Sequence, residues 1–286
     1  MAMTPEFPTA DVDHLIAQAL NEDLSYGPDI TSRATVPASH RSRARIVSRQ
    51  PGTVAGMFLV DRVLAQVATA EFHVTVEVPD GGRVGPGDVI ARIDAGTRDL
   101  LTAERTLLNL LTHLSGIASA TGHWVDAVEG TGARIRDSRK TLPGLRLLQK
   151  YAVTVGGGVN HRLGLGDRAL IKDNHVVAAG GVLPAFRAVR EQFPDTWCEV
   201  EVDTLEQLDQ LLPEEPDEIM LDNFELWMVQ VAVQRRDAVS PGTLLEASGG
   251  LTLDEAADYA RTGVDFLAVG SLTHSAPALD LGLDFD

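Results

Sequence analysis

The amino-acid sequence predicts an α/β protein in which an incomplete (β/α) barrel of about six parallel strands is preceded by an N-terminal α/β sandwich domain. Three observations predict it. From Ala133 onward, short apolar runs alternate with helix-like stretches. Before that point, apolar runs are bounded by strong turn signals. No G-x-G-x-x-G follows a first strand, as a doubly wound nucleotide-binding sheet would favour.

The elements follow in order. Asp11 to Leu20 has helical spacing, with Val12, Leu15, Ile16 and Ala19 on one side and Asp11 or Asp13 as its cap. Arg43 to Ser48 and Phe72 to Val78 read as strands, and Pro79-Asp80-Gly81-Gly82 is a turn. Val84-Gly85-Pro86-Gly87-Asp88 is a second tight turn before the strand Val89 to Ile93, so these pieces form a small sandwich. Leu100 to Val128 carries Leu101, Leu107, Leu108, Leu111 and Leu114 at helical intervals, which predicts a long helix joining the two halves, with Arg105 among its leucines. The division falls there: 1–115 for the sandwich with its linking helix, 116–286 for the barrel. The barrel strands are Ala133 to Ser138, Arg168 to Lys172, Trp197 to Val202, Glu218 to Leu221, Thr243 to Ala247 and Asp265 to Val269. Helices Leu145 to Val155, Leu183 to Gln192, Leu205 to Leu212, Leu226 to Arg236 and Leu253 to Arg261 lie between them, as right-handed crossovers between parallel strands require.

Composition excludes several functions. The 286 residues are 44% hydrophobic and 23% charged with no biased tract, so order is expected nearly throughout. Twenty-four basic residues against 41 acidic ones give a net charge of −17, which repels a phosphate backbone; no nucleic acid is expected as a partner. Cys198 is the single cysteine and forms no intramolecular disulfide. Met1 to Ala10 lacks a basic stretch followed by an apolar one, and no run approaches about 18 apolar residues. A cytoplasmic location without membrane insertion is the expectation.

In a parallel barrel the reacting groups gather where the strands end at the carboxyl face. The predicted strands end at Ser138-Arg139-Lys140, Lys172-Asp173-Asn174-His175, Glu201-Val202-Asp203, Asp222-Asn223, Ser248-Gly249-Gly250 and Gly270-Ser271. Cations come first, carboxylates next, small residues with accessible amides last. All three lysines of this acidic chain, Lys140, Lys150 and Lys172, fall between residues 131 and 175, together with six arginines. Such a stretch is either a solvated basic face or a pocket for a polyanion. The placement of Arg139, Lys140, His161, Arg162 and Lys172 at strand ends or in the following loops favours the pocket.

Glu199, Glu201 and Asp203 alternate onto one face of the third strand, and Glu201 and Asp222 close adjacent strands. Those two carboxylates are either salt-bridge partners of the cations or a Mg²⁺ site, since Mg²⁺ takes one or two carboxylates beside substrate oxygens and water. Ser248-Gly249-Gly250 and Gly270-Ser271 read as phosphate-gripping loops or as turns. Gly156-Gly157-Gly158 reads as a helix stop, and His113, His123 and Cys198 as structural residues.

At these residues the chain closely resembles the quinolinate phosphoribosyltransferases. The resemblance is carried by Ser138-Arg139-Lys140-Thr141-Leu142-Pro143-Gly144-Leu145-Arg146, Asn160-His161-Arg162-Leu163-Gly164-Leu165 and Leu170-Ile171-Lys172-Asp173-Asn174-His175. It continues through Glu199-Val200-Glu201, Ile219-Met220-Leu221-Asp222-Asn223, Leu245-Glu246-Ala247-Ser248-Gly249-Gly250 and Gly270-Ser271-Leu272-Thr273-His274-Ser275. Asn21-Glu22-Asp23 and Glu104-Arg105-Thr106-Leu107-Leu108-Asn109 extend it over nearly the whole chain.

The resemblance implies reaction of quinolinate with phosphoribosyl pyrophosphate to give nicotinate mononucleotide, pyrophosphate and CO₂ in NAD biosynthesis. It implies that Arg139, Arg162, His161 and Lys172 hold the two carboxylates of quinolinate, with Arg105 entering from a neighbouring subunit of a homodimer or higher homo-oligomer. Lys140 would help bind the phosphoribosyl donor, and Glu201 and Asp222 would act on the ribose hydroxyls and on Mg²⁺. Ser248, Gly249 and Gly250, with Gly270 and Ser271, would grip the 5′-phosphate, and Ser138 and His274 stand among the expected substrate-binding residues. The rival readings are a phosphoribosyltransferase of the same scaffold acting on another heteroaromatic acid, a phosphosugar aldolase using Lys172 as a Schiff base, and a non-enzymatic sensor of an anionic metabolite.

Overall fold

The computed structural model describes residues 9–286, so the expectation placed on Met1 to Ala10 lies outside the described residues except for its last two positions. In chain order come α1 (Thr9–Leu24), α2 (Ile30–Thr35), β1 (Arg41–Ser48), β2 (Gly52–Thr53), α3 (Phe58–Val67), β3 (His73–Val76), β4 (Arg83–Val84), β5 (Val89–Gly96) and α4 (Thr97–Ala127). There follow β6 (Arg134–Arg136), α5 (Arg146–Val155), β7 (Ala169–Ile171), α6 (Asp173–Ala179), α7 (Val182–Gln192), β8 (Cys198–Val202) and α8 (Leu205–Leu211). The chain closes with β9 (Glu218–Asp222), α9 (Leu226–Val239), β10 (Leu244–Ser248), α10 (Ala256–Ala260), β11 (Phe266–Ala268), α11 (Ser271–His274) and β12 (Leu281–Phe285).

These elements form two compact units. The first takes the residues up to Gly122 together with Leu142–Gly157 and Ser275–Asp286; the second takes His123–Thr141 and Gly158–His274. The contiguous division at 115/116 therefore differs from the spatial one, because two later segments return to the first unit. β12 pairs antiparallel with β1, from Ala44 opposite Phe285 to Ser48 opposite Leu281. Gly116 admits the segment leading to β12: a Cβ there would stand 2.2 Å from the Pro277 carbonyl oxygen. The end of α5 approaches α4 in the same manner, since a Cβ on Gly156 would stand 2.5 Å from the Ala118 oxygen.

The first unit is built on an antiparallel sheet of order β12-β1-β5-β3. Its two central strands alternate: Ala44, Ile46, Ile93 and Ala95 are buried while Arg43 and Arg92 face out. A register irregularity between Ile46 and Val47 lets both of those neighbours be buried. α1 buries Val12, Ile16 and Leu20, one residue per turn, and α4 buries Leu107, Leu108, Leu111 and Leu114. Each such burial stabilises by roughly 1.5–3 kcal/mol. Neither proposed cap of the first helix acts as one. α1 starts at Thr9, which puts Asp11 inside its first turn, and Asp13 instead meets Arg62 of α3 at 2.7 Å.

The second unit is a six-stranded sheet of order β6-β11-β10-β9-β8-β7 in which every pair is parallel. Chain order runs along the sheet from β7 to β11 and returns to β6 beside β11, as in a barrel. Among the described residues, the free edge of β6 carries only an isolated bridge, Arg136 with Val159, so the ring stays incomplete. All six predicted strands are present. Among the described residues, no helix is long and apolar enough to cross a membrane.

Candidate active site

Period-2 geometry decides what points inward. β8 places Glu199 and Glu201 on one face, β9 Glu218, Met220 and Asp222, and β10 Glu246 and Ser248. Register sets Met220 beside Glu201 and Glu246, and Asp222 beside Ser248. Two levels result.

The lower level is ionic and dry. Arg136 pairs through Nη1 with Glu218 and, at 2.6 Å, with Glu246, and its guanidinium lies 3.3 Å from the Phe266 ring centroid. Burial would lower the Arg136 pKa, but the charges of Glu246, Glu218 and Glu199 outweigh it and hold the guanidinium firmly protonated. Burial pushes Glu246 up to about 8, with the Glu199 charge adding to the shift. It pushes Glu199 in the same direction, helped by Glu218. Glu199 and Glu246, buried close together, cannot both ionise readily in so little water, so this pair retains a proton near neutral pH.

Above this floor opens a cavity of about 800 Å³, of a size that suits a small-molecule ligand. Its lining brings together Ser138, Arg139 and Lys140 after β6, His161 and Arg162 in the following loop, and Lys172 after β7. Glu201, Asp222, Ser248, Gly249, Gly250, Gly270, Ser271 and His274 complete the predicted set around it. All of these belong to the second unit. Arg105 belongs to the first, is exposed on α4, and is not among the lining residues. Asp203 does not join either. β8 ends at Val202, and Asp203 is exposed beyond it, its N–H donated to Gln207 Oε1 at 2.7 Å.

Close approaches fix the loops. A Cβ on Gly270 would stand 3.1 Å from Lys140 Cδ, 3.4 Å from Ser138 Oγ and 3.7 Å from His274 Nε2, so the chain after β11 meets the chain after β6 there. Thr273 Oγ1 donates to the Lys140 carbonyl at 2.9 Å and holds the lysine backbone in place. Gly249 has φ +100°, and a Cβ on it would stand 2.6 Å from the Asn223 backbone nitrogen. Only glycine suits that turn, which also leaves its backbone open to the cavity.

The charges divide into satisfied and unsatisfied groups. Lys172 Nζ is ion-paired with Glu201, whose side chain is 7% exposed against 45% for the lysine. Asp222 accepts from Asn223 Nδ2 at 2.6 Å. The Nε atoms of Arg139 and Arg162 are both buried and have no hydrogen-bond partner. Burial, and then the neighbouring Arg139 charge, hold the Arg162 guanidinium below its usual pKa. Two mutually repelling cations with unused buried donors describe a site prepared for an anion.

His161 lines the cavity, and its ring is also held by the protein. Its Nδ1 accepts the Arg162 backbone N–H at 2.7 Å, and its Nε2 lies 2.7 Å from Glu199 Oε2. The ring borders the cavity, yet both nitrogens are engaged by the protein. Arg136, Glu218 and Glu246 were not singled out from the sequence as site residues. The available signal was a charged residue two or four positions before a predicted mouth residue in an otherwise apolar strand, as in Glu246 to Ser248 and Glu218 to Asp222. The structural readings hold at three places: Gly156 caps α5, His113 bonds Gln149 at 2.8 Å, and burial raises the Cys198 thiol to about 11.

Comparison with known proteins settles the family. The family model described as quinolinate phosphoribosyl transferase, N-terminal domain, matches residues 29–115, and its C-terminal counterpart matches residues 117–284. The chain belongs to the quinolinate phosphoribosyltransferase family. The carboxylating nicotinate-nucleotide pyrophosphorylase of Mycobacterium leprae is 60% identical over 270 residues, covering 94% of this chain and 95% of that protein. A decarboxylating quinolinate phosphoribosyltransferase of Nicotiana tabacum is 36% identical over 301 residues, covering 99% and 84%. The structure of the nicotinate-nucleotide pyrophosphorylase of Francisella tularensis superposes with a TM-score of 0.93 at 34% identity over all of both chains. Within the quinolinate phosphoribosyltransferase fold, the cationic cavity lies at the carboxyl ends of the parallel strands, where barrel chemistry is done.

Proposed function

We propose that this chain transfers the phosphoribosyl group of phosphoribosyl pyrophosphate to quinolinate with loss of CO₂, giving nicotinate mononucleotide and pyrophosphate for NAD biosynthesis. The observation that carries this reading is the pair Arg139 and Arg162, held together with buried, unpartnered Nε–H groups beside Lys172. A planar dicarboxylate supplies the acceptors they lack, and guanidinium forks match carboxylates. Lys140, Ser138 and His274 around Gly270 form one anchor for the donor, and the Ser248–Gly250 turn forms the other. Arg105, exposed on α4, is proposed to complete the site of a second copy in a homodimer.

As pyrophosphate departs, positive charge develops on the ribose, and the carboxylates of Glu201 and Asp222 stabilise it. The pyridine nitrogen attacks C1 of the ribose and becomes cationic. The ring carbon then releases its carboxylate as CO₂, and the electron pair left behind is stabilised by the adjacent nitrogen and takes a proton from water. Mg²⁺ fits this donor set in part: Asp222 gives it one carboxylate to add to pyrophosphate oxygens, whereas Glu201 is already neutralised by Lys172. When bound, the ion supplies charge neutralisation of the leaving pyrophosphate. Glu201 becomes available as Lys172 turns to the incoming carboxylate. The single cysteine, Cys198, is free and buried, which suits a reducing, cytoplasmic setting.

The test is joint measurement of pyrophosphate and CO₂ from quinolinate plus phosphoribosyl pyrophosphate, with and without Mg²⁺, and with nicotinate in parallel. Equal formation of both products from quinolinate alone is expected. Turnover of nicotinate without CO₂ would replace this reading with that of a phosphoribosyltransferase for another heteroaromatic acid.

A further inference from the structure

We infer that Asn223 is a positioning residue for Asp222: its side-chain amide holds one oxygen of that carboxylate and leaves the other to the ribose and the leaving group. The role of Asp222 itself rests on the function proposed above. Asn223 follows β9 directly and lines the cavity beside Asp222. Its φ is +55°, and Glu215, which closes a 3₁₀ turn, is the only other non-glycine residue with positive φ among the described residues. That backbone region favours glycine. The neighbouring turn of the same cavity does use glycine there, at Gly249 with φ +100° and Gly250 with φ +61°. At 223 the chain keeps a side chain instead, and its contacts show what that side chain does.

Donors and acceptors decide which way the amide faces. A carboxylate oxygen offers only lone pairs, so the Asn223 nitrogen, not its oxygen, meets Asp222. Nδ2 donates to Asp222 Oδ2 at 2.6 Å. The amide oxygen lies against Gly249 instead: a Cβ on that glycine would collide with Asn223 Oδ1 and stand 2.7 Å from its Cγ. The backbone is held on both sides. Asn223 N–H is donated to the Ser248 carbonyl at 2.9 Å, one step beyond the pairing of Asp222 with Ser248. Phe224, next in the chain, is buried, and its carbonyl accepts from the Tyr259 hydroxyl at 3.0 Å. With its backbone fixed and its amide packed on Gly249, Asn223 is a rigid donor. It ties Asp222 Oδ2 to the turn proposed to grip the 5′-phosphate, and Oδ1 is the oxygen left for the reaction.

Glycine adopts φ +55° freely, so Asn223→Gly removes the amide and spares the turn. It should lower kcat roughly 10- to 100-fold, as loss of a hydrogen bond to a charged group does, while KM for quinolinate stays within about twofold. Asn223→Asp fills the same space, tolerates the same backbone and replaces the donor with an acceptor, so it should be impaired at least as much. Either variant turning over like the unaltered protein, or a loss confined to KM, overturns the inference. Asn223→Gly added to Asp222→Ala should cost less than about threefold further, because the carboxylate it serves is gone; losses that multiply overturn the positioning role. The hydrogen bond is read without turnover from the ¹⁵N spectrum of asparagine-labelled protein. There the Asn223 side-chain amide signals, identified by their loss in Asn223→Gly, should move in Asp222→Ala, and signals that stay in place overturn the contact. If the unaltered protein makes no nicotinate mononucleotide from quinolinate, the functional reading fails, while this spectrum still decides whether Asn223 holds Asp222.

Discussion

Replacing Glu246 with Gln should make the protein progressively more stable, relative to the unaltered chain, as pH rises from 5 to 8. Glu246 is fully buried, and burial followed by the Glu199 charge moves its pKa from 4.5 to about 8. Between those two values the folded protein keeps a proton that the unfolded chain has released. The unfolding free energy then falls with rising pH; the stability from this group is complete below about 4.5 and is lost as pH passes through about 8. A separation of about 3.5 units corresponds to a loss on the order of 5 kcal/mol at most, at about 1.4 kcal/mol per unit. Gln keeps the shape of the neutral acid and can still accept from Arg136, but it cannot ionise. Melting temperatures of the two proteins at pH 5, 6, 7 and 8 give the answer, since other titrating groups largely cancel in the difference. With about 2–4 °C per kcal/mol for a domain of roughly 150–250 residues, the Gln variant should gain on the order of 10 °C relative to the unaltered chain across this range. A difference that stays constant from pH 5 to 8 would refute the claim that the floor stores a proton.

Other outcomes follow from the same geometry. Asp222→Asn should lower turnover about 100-fold or more, as removal of one transition-state contact does, with substrate affinities little changed; unaltered turnover removes Asp222 from its role. Gly249→Ala places a Cβ 2.6 Å from the Asn223 nitrogen at φ +100°, and should cost roughly 1–3 kcal/mol in stability and weaken use of phosphoribosyl pyrophosphate more than use of quinolinate. Arg105→Ala and Arg139→Ala should each abolish most quinolinate use, and mixing the two proteins should restore activity through hybrid dimers with one intact site. No recovery on mixing would count against a site shared between copies.

Much of the second unit was legible because its message is local. Each strand is a short apolar run, and the residue that closes it is the residue that reaches the mouth, so Ser138 to Lys140, Lys172, Glu201, Asp222, Ser248 and Gly270 could be placed from spacing alone. What was not legible depends on distance in the chain. β12 meets β1 across more than 200 residues, and no periodicity in Leu281–Phe285 announces that partner. α5 follows a barrel strand in sequence yet packs in the first unit, because Gly156 allows an approach to α4 that only three dimensions reveal. Asp203 continues the alternation of Glu199 and Glu201, but alternation does not say where β8 stops. His161 sits in a basic word and invites an anion-binding role. Its engagement by Glu199 and by the Arg162 backbone is a matter of ring orientation, which residue order does not encode.

Calorimetric titration of quinolinate into the unaltered protein, Arg139→Gln and Arg162→Gln measures directly whether the two arginines bind the dicarboxylate together. Removing a charge-assisted hydrogen bond costs about 1.5–3 kcal/mol, so each variant should bind quinolinate roughly 10- to 150-fold more weakly. Binding by Arg162→Gln as tight as that of the unaltered protein would contradict joint binding.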